Sequence, residues 1–385
     1  MNIRSAAAAV IALIIVLTCF SGCSDGAEGS NTNVQETAYE VLYEEAAEDA
    51  AADVGCSAVS DSASAAIIYC ADNGEVLYGH NINDKRAIAS ITKIMTAVVA
   101  LEYAASYDKE VKITPAMYAE GSSMYLKEGE ILKLSEIVKG MMSVSGNDAA
   151  NAVALSVGGS MEKFSDMMND KARQIGMKNT HFVTPSGLDS EEHYSTAYDM
   201  ALLCAYAMEN ETFREIVSQK NIDVSYIYPE NKMQTLTNHN RLLSLYDGCI
   251  GIKTGYTMKA GRTLTSCAER DGVRLIVVTL NDGNDWDDHC GLYDYGFSVV
   301  ERIRLADENR RIEIPVAGEE NETAVVVPER NMDVTVKKED KDRIEEHIYL
   351  PRFLFSPVGS STMEGTIEYT LDGKVISTAR LITEK

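Results

Sequence analysis

Ser90 and Lys93 stand three residues apart in "AIASITKIMTAVVALEYAA", a run of alanine, isoleucine, methionine and valine that begins at Ala87. On a helix that spacing sends both side chains from one face. The run is apolar on most sides, so the helix should be buried, and a buried ammonium is costly unless it is paired or neutral. A serine beside a lysine pressed towards neutrality is a nucleophile beside a base. Taken alone, the pair reads more readily as a capping serine and a snorkelling lysine. Two further groups change the weighing. Ser145-Gly146-Asn147 and Lys253-Thr254-Gly255 follow in that order, each by itself an ordinary turn or strand end. One group on a buried helix, one in an interhelical turn and one on a strand together supply what acyl transfer from a peptide needs. Those needs are a nucleophile, a base, a proton route to the leaving amine and donors for the oxyanion.

The roles then divide by residue type. Ser90, at a helix N-terminus, is the nucleophile, and Lys93 is its base, depressed by burial and by the like charge of Lys253. Ser145 relays a proton, and Asn147 orients Lys93 or a substrate amide. The strand carrying Lys253 offers its edge to an extended peptide. Gly255 is expected to clear that approach, Thr254 and Lys253 to face a terminal carboxylate, and Tyr256 to supply a second backbone donor to the oxyanion. His181, His193 and His239 are read as structural, because the serine–lysine set leaves them no role. The cysteines show no CxxC pair and no histidine at metal spacing, so no metal or cofactor is expected.

The elements that must hold these residues are legible in outline. "SAAIIYCADNGEVLYGHNI" reads as strand, Asn73-Gly74 turn, strand, ahead of the buried helix. From about Thr114 to Val217 the chain reads mostly as helices, one ending at Gly176 and another capped by Ser195 or Thr196. "CIGIKTGYT", "RTLTSCAER" and "VRLIVVTLN" are three successive strands, the last two joined across Asp271-Gly272. Strands at both ends with helices between predict an α+β domain, one antiparallel sheet closed from both ends and covered by helices. Cys249 and Cys267 on neighbouring strands are the candidate disulfide. Beyond "GLYDYGFSVVERIRL" short alternating strands, with a turn at Asp372-Gly373, predict a small all-β domain. The expected layout is 1–22 signal peptide, 23–56 acidic disordered tether, 57–305 catalytic domain and 306–385 C-terminal β domain.

The chain has 385 residues, 45% hydrophobic and 24% charged, which suits a two-domain globular protein. Its net charge of −24 argues against nucleic acid or an anionic membrane surface as an electrostatic partner. Met1 to Arg4 is a basic start, and Ala6 to Leu17 an apolar core too short to span a membrane comfortably, which is the pattern of an export signal. "FSGC" resembles a bacterial lipoprotein cleavage box in which Cys23 is lipidated, although Phe20 departs from the usual aliphatic residue. Simple cleavage nearby and an uncleaved anchor are the alternatives. No apolar span or basic amphipathic helix follows the last strand, so any membrane attachment is expected at the N-terminus.

From about Ser57 to Lys385 the sequence resembles the low-molecular-mass penicillin-binding proteins that are serine-type D-alanyl-D-alanine carboxypeptidases. "ASITKIMTA", "SGNDAANAVA", "THFVTPSGLD", "HYSTAYDMA", "TNHNRLL" and "GIKTGYTMKAGRTL" all stand where that family has similar text. The resemblance implies a penicillin-recognising, β-lactamase-like serine transferase domain followed by a β-rich stalk. It implies an acyl-enzyme at Ser90 with Lys93 as base, and an oxyanion hole from the backbone amides of Ser90 and Tyr256. The implied substrates are peptidoglycan stem peptides ending in D-Ala-D-Ala, with β-lactams as inhibitors. Two departures stand out. The C-terminal membrane helix of many relatives is absent, and "NDGNDWDDHCGL" is acidic where many carry an arginine. Carboxylate recognition then falls to Thr254, Lys253 and Arg262. A class A β-lactamase would need a deacylating glutamate that "KFSDMMNDKARQIGMKN" does not offer. A D,D-endopeptidase acting on crosslinks and a non-catalytic wall-binding module are the other readings.

Overall fold

The computed structural model describes residues 53–55, 59–318 and 322–384. The signal segment 1–22, Cys23, Cys56 and most of the acidic stretch lie outside the described residues. The last part of that stretch is ordered: Gly79 N donates to Val54 O (2.9 Å), and Asp53 Oδ1 accepts from Ile82 N (3.2 Å). Residues 53 and 54 thus find partners in and just after β2, an outer strand of the main sheet.

Strands β1 (Ala65–Cys70) and β2 (Val76–His80) come first, and a 3₁₀ turn (Ala89–Thr92) leads into helix α1 (Lys93–Ser106). The short strands β3 (Glu110–Lys112) and β4 (Ile131–Lys133) precede α2 (Leu134–Val144), α3 (Asn147–Val157), α4 (Met161–Ile175), α5 (Ala197–Glu209) and α6 (Glu211–Ser218). A hairpin of β5 (Asn221–Ser225) and β6 (Met233–Thr237) and a single turn, α7 (Leu242–Leu245), lead to β7 (Cys249–Thr257), β8 (Gly261–Arg270) and β9 (Val273–Leu280). Helix α8 (Asp285–Val299) follows. The β5–β6 hairpin interrupts what the sequence suggested was a direct passage from helices to sheet.

The main sheet has the order β2-β1-β9-β8-β7 and is antiparallel at every pairing. The N-terminal hairpin and the three later strands thus meet at β1 and β9. Both faces are covered, which is why these strands read as continuous apolar runs. Ile67, Tyr69, Cys267, Ile276 and Val278 face the core shared with α1 to α6. Ala66, Ile68, Leu264, Leu275 and Val277 face α8 through Leu292 and Tyr293. The proposed disulfide fails on this geometry. Cys249 pairs in register with Ala268 and packs on the α8 side, whereas Cys267 pairs with Gly251 and enters the helical core. Both thiols are free.

Caps set the helix ends. Ser160 Oγ accepts from Lys163 N at the start of α4, and Gly176 ends it in the left-handed region at φ 87°. Thr196, not Ser195, caps α5 through Asp199 N (3.0 Å). The C-terminal β region begins with β10 (Val300–Ala306), directly after α8. It continues through β11 (Ile312–Ala317), β12 (Thr323–Pro328), β13 (Met332–Lys337), β14 (Ile344–Tyr349), β15 (Leu354–Phe355), β16 (Met363–Leu371) and β17 (Lys374–Thr383). Strand β10 pairs with β13, and the other six form a sheet in the order β14-β16-β17-β12-β11-β15.

Candidate active site

Helix α1 starts inside the protein, and its first residue is Lys93, which is wholly buried. The ammonium has three acceptors for its three hydrogens: Ser90 Oγ (2.9 Å), Asn147 Oδ1 (2.7 Å) and the Ser186 carbonyl (2.8 Å). All three are neutral, so no opposite charge in direct contact offsets the desolvation of the ammonium. Burial holds the Lys93 pKa well below the ordinary lysine value, the positive charge of Lys253 adds to the effect, and Asp148 opposes it. Asp148 is itself engaged: it accepts from Met124 N (2.8 Å), Leu126 N (3.0 Å) and Ser123 Oγ (2.8 Å). Its charge fastens the loop ahead of β4 rather than neutralising Lys93.

Two backbone positions next to these groups are left-handed although neither is glycine: Ala89 (φ 50°) and Ser145 (φ 60°). Such a conformation costs an L-residue about 1–2 kcal/mol, so the surroundings must enforce it. At Ser145 the reversal ends α2 and starts α3, which brings Asn147 back to Lys93. Asn147 also donates through Nδ2 to Glu120 O and through its backbone to Ser122 O, tying α3 to the loop.

Lys253 is buried, donates to the Thr254 carbonyl (2.9 Å), and is lowered by burial to about 7. Thr254, Gly255 and Tyr256 continue along β7, the outermost strand of the sheet. A Cβ on Gly255 would collide with Thr263 Oγ1 and come 3.0 Å from the Ser90 nitrogen. Gly255 therefore lets the strand lie against the serine turn.

A cavity of about 470 Å³ opens over these residues, lined by Ser90, Ser145, Thr254, Gly255 and Tyr256. Ser122, His239, Arg262, Asp285 and Trp286 complete its wall. The structure thus brings together the expected residues of all three motifs, with Lys93, Asn147 and Lys253 beneath the floor. Cys23 lies outside the described residues. Sequence reasoning missed the Ser186 carbonyl, a backbone acceptor with no side-chain signature, and it missed His239 as a wall residue. Burial and Lys253 lower the His239 pKa. His193 is structural: its Nδ1 accepts from Val183 N (3.0 Å) and Thr184 N (3.3 Å), so Nε2 carries the proton and donates to Thr92 Oγ1 (2.8 Å). His181 bonds the Glu192 carbonyl away from the cavity.

Among the described residues no cluster of histidine, cysteine or carboxylate side chains has the form of a metal site. No described helix is long and apolar enough to cross a membrane. Residues 52–284 match the family model for D-alanyl-D-alanine carboxypeptidase, and residues 301–385 match the penicillin-binding protein 5 C-terminal domain. The chain is 31% identical over 335 residues to D-alanyl-D-alanine carboxypeptidase DacF of Bacillus subtilis, covering 83% of this chain and 85% of that one. It is 30% identical over 340 residues to DacA of Escherichia coli, covering 83% and 82%. The crystal structure of penicillin-binding protein 5 from Haemophilus influenzae superposes with a TM-score of 0.65 at 27% identity, over 86% of this chain and 99% of that one. The chain belongs to the D-alanyl-D-alanine carboxypeptidase family of serine hydrolases, with the penicillin-binding protein 5 type of C-terminal β domain.

Proposed function

We propose that this protein is a penicillin-sensitive serine D,D-carboxypeptidase that removes the terminal D-alanine from peptidoglycan pentapeptide stems. Lys93, neutral for part of the time, takes the proton of Ser90 as Oγ attacks the carbonyl of the penultimate D-alanine. The backbone amides of Ser90 and Tyr256 receive the oxyanion. As the C–N bond breaks, Ser145 relays a proton to the leaving amine, and D-alanine departs. Water then cleaves the Ser90 ester, with Lys93 again accepting the proton. Asn147 holds Lys93 in place, while Lys253, Thr254 and Gly255 bind the substrate strand. β-Lactams acylate the same oxygen.

The observation that carries this reading is the 2.9 Å contact between Lys93 Nζ and Ser90 Oγ, made by a lysine that burial pushes towards neutrality. The proposed setting is the outer face of the cell membrane, with residues 1–22 as export signal and Cys23 as lipid anchor. In it, 57–305 is the catalytic part and 306–385 the stalk. Free D-alanine released from a peptide ending in D-Ala-D-Ala is the direct test. Release should vanish in Ser90→Ala; folded wild-type protein that releases none overturns the assignment.

A further inference from the structure

One hydroxyl outside the active site is claimed by two carboxylates. Ser62 lies just ahead of β1, where the chain enters the main sheet. Its Oγ is 2.7 Å from Asp282 Oδ1 and 2.8 Å from Asp288 Oδ2, and its backbone N–H donates to Asp288 Oδ2 (2.7 Å). A serine hydroxyl has one proton to donate, so it satisfies one carboxylate only. With both carboxylates ionised, the second contact would set lone pairs against lone pairs. The pair therefore holds a proton of its own: one carboxyl donates to Ser62 Oγ, and Ser62 donates to the other.

The surroundings decide which carboxyl holds it. Asp282 is 1% exposed, and its Oδ2 is buried with no hydrogen-bond partner. An orphaned oxygen is less costly on a neutral acid than on a carboxylate. Burial accordingly pushes the Asp282 pKa up to about 6, and Asp288 adds to the effect. Asp288 moves the other way. Its burial is outweighed by the hydrogen bonds from Ser62, which lower its pKa, and it stands in the first turn of α8, where the helix dipole favours an anion.

The nearby charges are engaged elsewhere. On the N-terminal segment Asp61 is turned to Tyr78 Oη and His80 Nε2 of β2. On β8 the Arg262 guanidinium is held by Asp285, and only the Arg262 carbonyl reaches Asp282, accepting from its backbone N–H (3.0 Å). On α8 Asp287 is exposed, and His289 is turned to Ser266 and Thr279. Between Asp282 and Asp288 in the chain lie Asp285 and Trp286, both on the cavity wall.

We propose that Ser62, Asp282 and Asp288 form a proton-operated clasp between the incoming N-terminal segment and the turn that carries the cavity wall. The clasp is closed while the pair shares one proton. It opens when that proton passes to water, because two adjacent carboxylates repel. The native pair binds more protons than the unfolded chain between pH 3.8 and about 6. The hold is therefore fully present below pH 3.8 and is lost as the pH rises through about 6. Acidification tightens the wall beside Ser90 together with the segment leading in from the N-terminus.

Backbone hydrogen exchange of residues 59–64 in the full chain, corrected for its intrinsic pH dependence, tests the clasp. Wild type should exchange about 10-fold faster at pH 7.5 than at pH 5, the ratio set by a pKa that moves from 3.8 to about 6. Asp282→Asn keeps the shape, and its amide donates to Ser62 Oγ at every pH, so its exchange should be the same at both. The chain's single tryptophan, Trp286, reads the other side of the clasp. Its emission should step with a midpoint near pH 6 in wild type, and also in His239→Gln, which removes the histidine of the cavity wall. In Asp282→Asn it should stay flat. Equal exchange by wild type at the two pH values overturns the proposal, whether or not the variant folds. A pH step that survives in Asp282→Asn overturns it too, since another group is then titrating, as does wild-type tryptophan emission that ignores the pH.

Discussion

Two serine networks occupy opposite faces of the main sheet. On the helical side Ser90 lies 2.9 Å from the amine of Lys93, at the floor of an open cavity. On the α8 side Ser266 Oγ lies 2.6 Å from His289 Nδ1 and 2.6 Å from Tyr293 Oη, a contact that looks every bit as catalytic. His289 Nε2 meets Thr279 Oγ1 at 3.0 Å, and all four residues are fully buried. The difference is access and balance. Each polar atom of the second network has a partner, none of its residues lines the cavity over Ser90, and burial drives the His289 pKa to about 3. That histidine holds strands β8 and β9 to α8. In the first network the lysine is buried while the serine it faces is not. A nucleophile and base at bonding distance are therefore not sufficient evidence of a site; an opening towards the nucleophile is the discriminating feature.

The sharpest way to break the comparison is to remove the nitrogen partner from each serine. Lys93→Ala should fold, as judged by circular dichroism, yet lose acylation by a labelled penicillin about 10²–10⁴-fold. Ser266→Ala should acylate at the wild-type rate and cost about 1–3 kcal/mol of stability in denaturant unfolding, because His289 and Tyr293 lose a buried partner. Acylation retained in the first variant, or lost in the second, would reverse the assignment of the two networks.

A smaller effect is expected at Gly255. Its added Cβ must push on the Ser90 backbone, so Gly255→Ala should slow acylation by about 10²-fold, the scale of an ångström-sized misplacement. Gly283, where a Cβ meets nothing within 4 Å, should tolerate alanine with no change in rate. Equal rates in both variants would mean that the β7–serine contact does not position the nucleophile.

A comparable effect is expected on pH stability. Burial lowers the His193 pKa from 6.5 to about 4, so the unfolded chain binds more protons than the native one between those values. This contribution is fully present above pH 6.5 and is lost as pH falls to 4, about 3 kcal/mol in all at ~1.4 kcal/mol per pH unit. Unfolding free energies of wild type and His193→Gln at pH 7, 5.5 and 4.5 should converge as the pH falls. A constant gap would mean that His193 does not titrate in this window.

Much of the site was legible because its spacing is local. Ser90 and Lys93 are one helical turn apart, and apolar neighbours on every side announce burial. The hairpins at Asn73-Gly74, Asp271-Gly272 and Asp372-Gly373 carry their own turn chemistry, and Gly74, Gly272 and Gly373 all take positive φ. The β5–β6 hairpin was legible in principle, since "NIDVS" alternates exposed and buried residues, but the turn between its strands carries no Asn-Gly or Asp-Gly pair. Cys249 and Cys267 misled because strand adjacency says nothing of which face a side chain takes once a bulge intervenes.

The sequence by itself determined the reaction class, the order of the three motifs, the sheet built from both ends and the appended β region. Each of these follows from short-range pattern, a helical or strand period or a turn. The tertiary structure alone decided that Ser186 lends Lys93 a carbonyl, that Gly255 serves the serine turn, and that Arg262, Asp285 and Trp286 share the cavity wall. Those facts depend on backbone atoms and on side chains far apart in the chain that meet only after the sheet closes, so no local pattern encodes them.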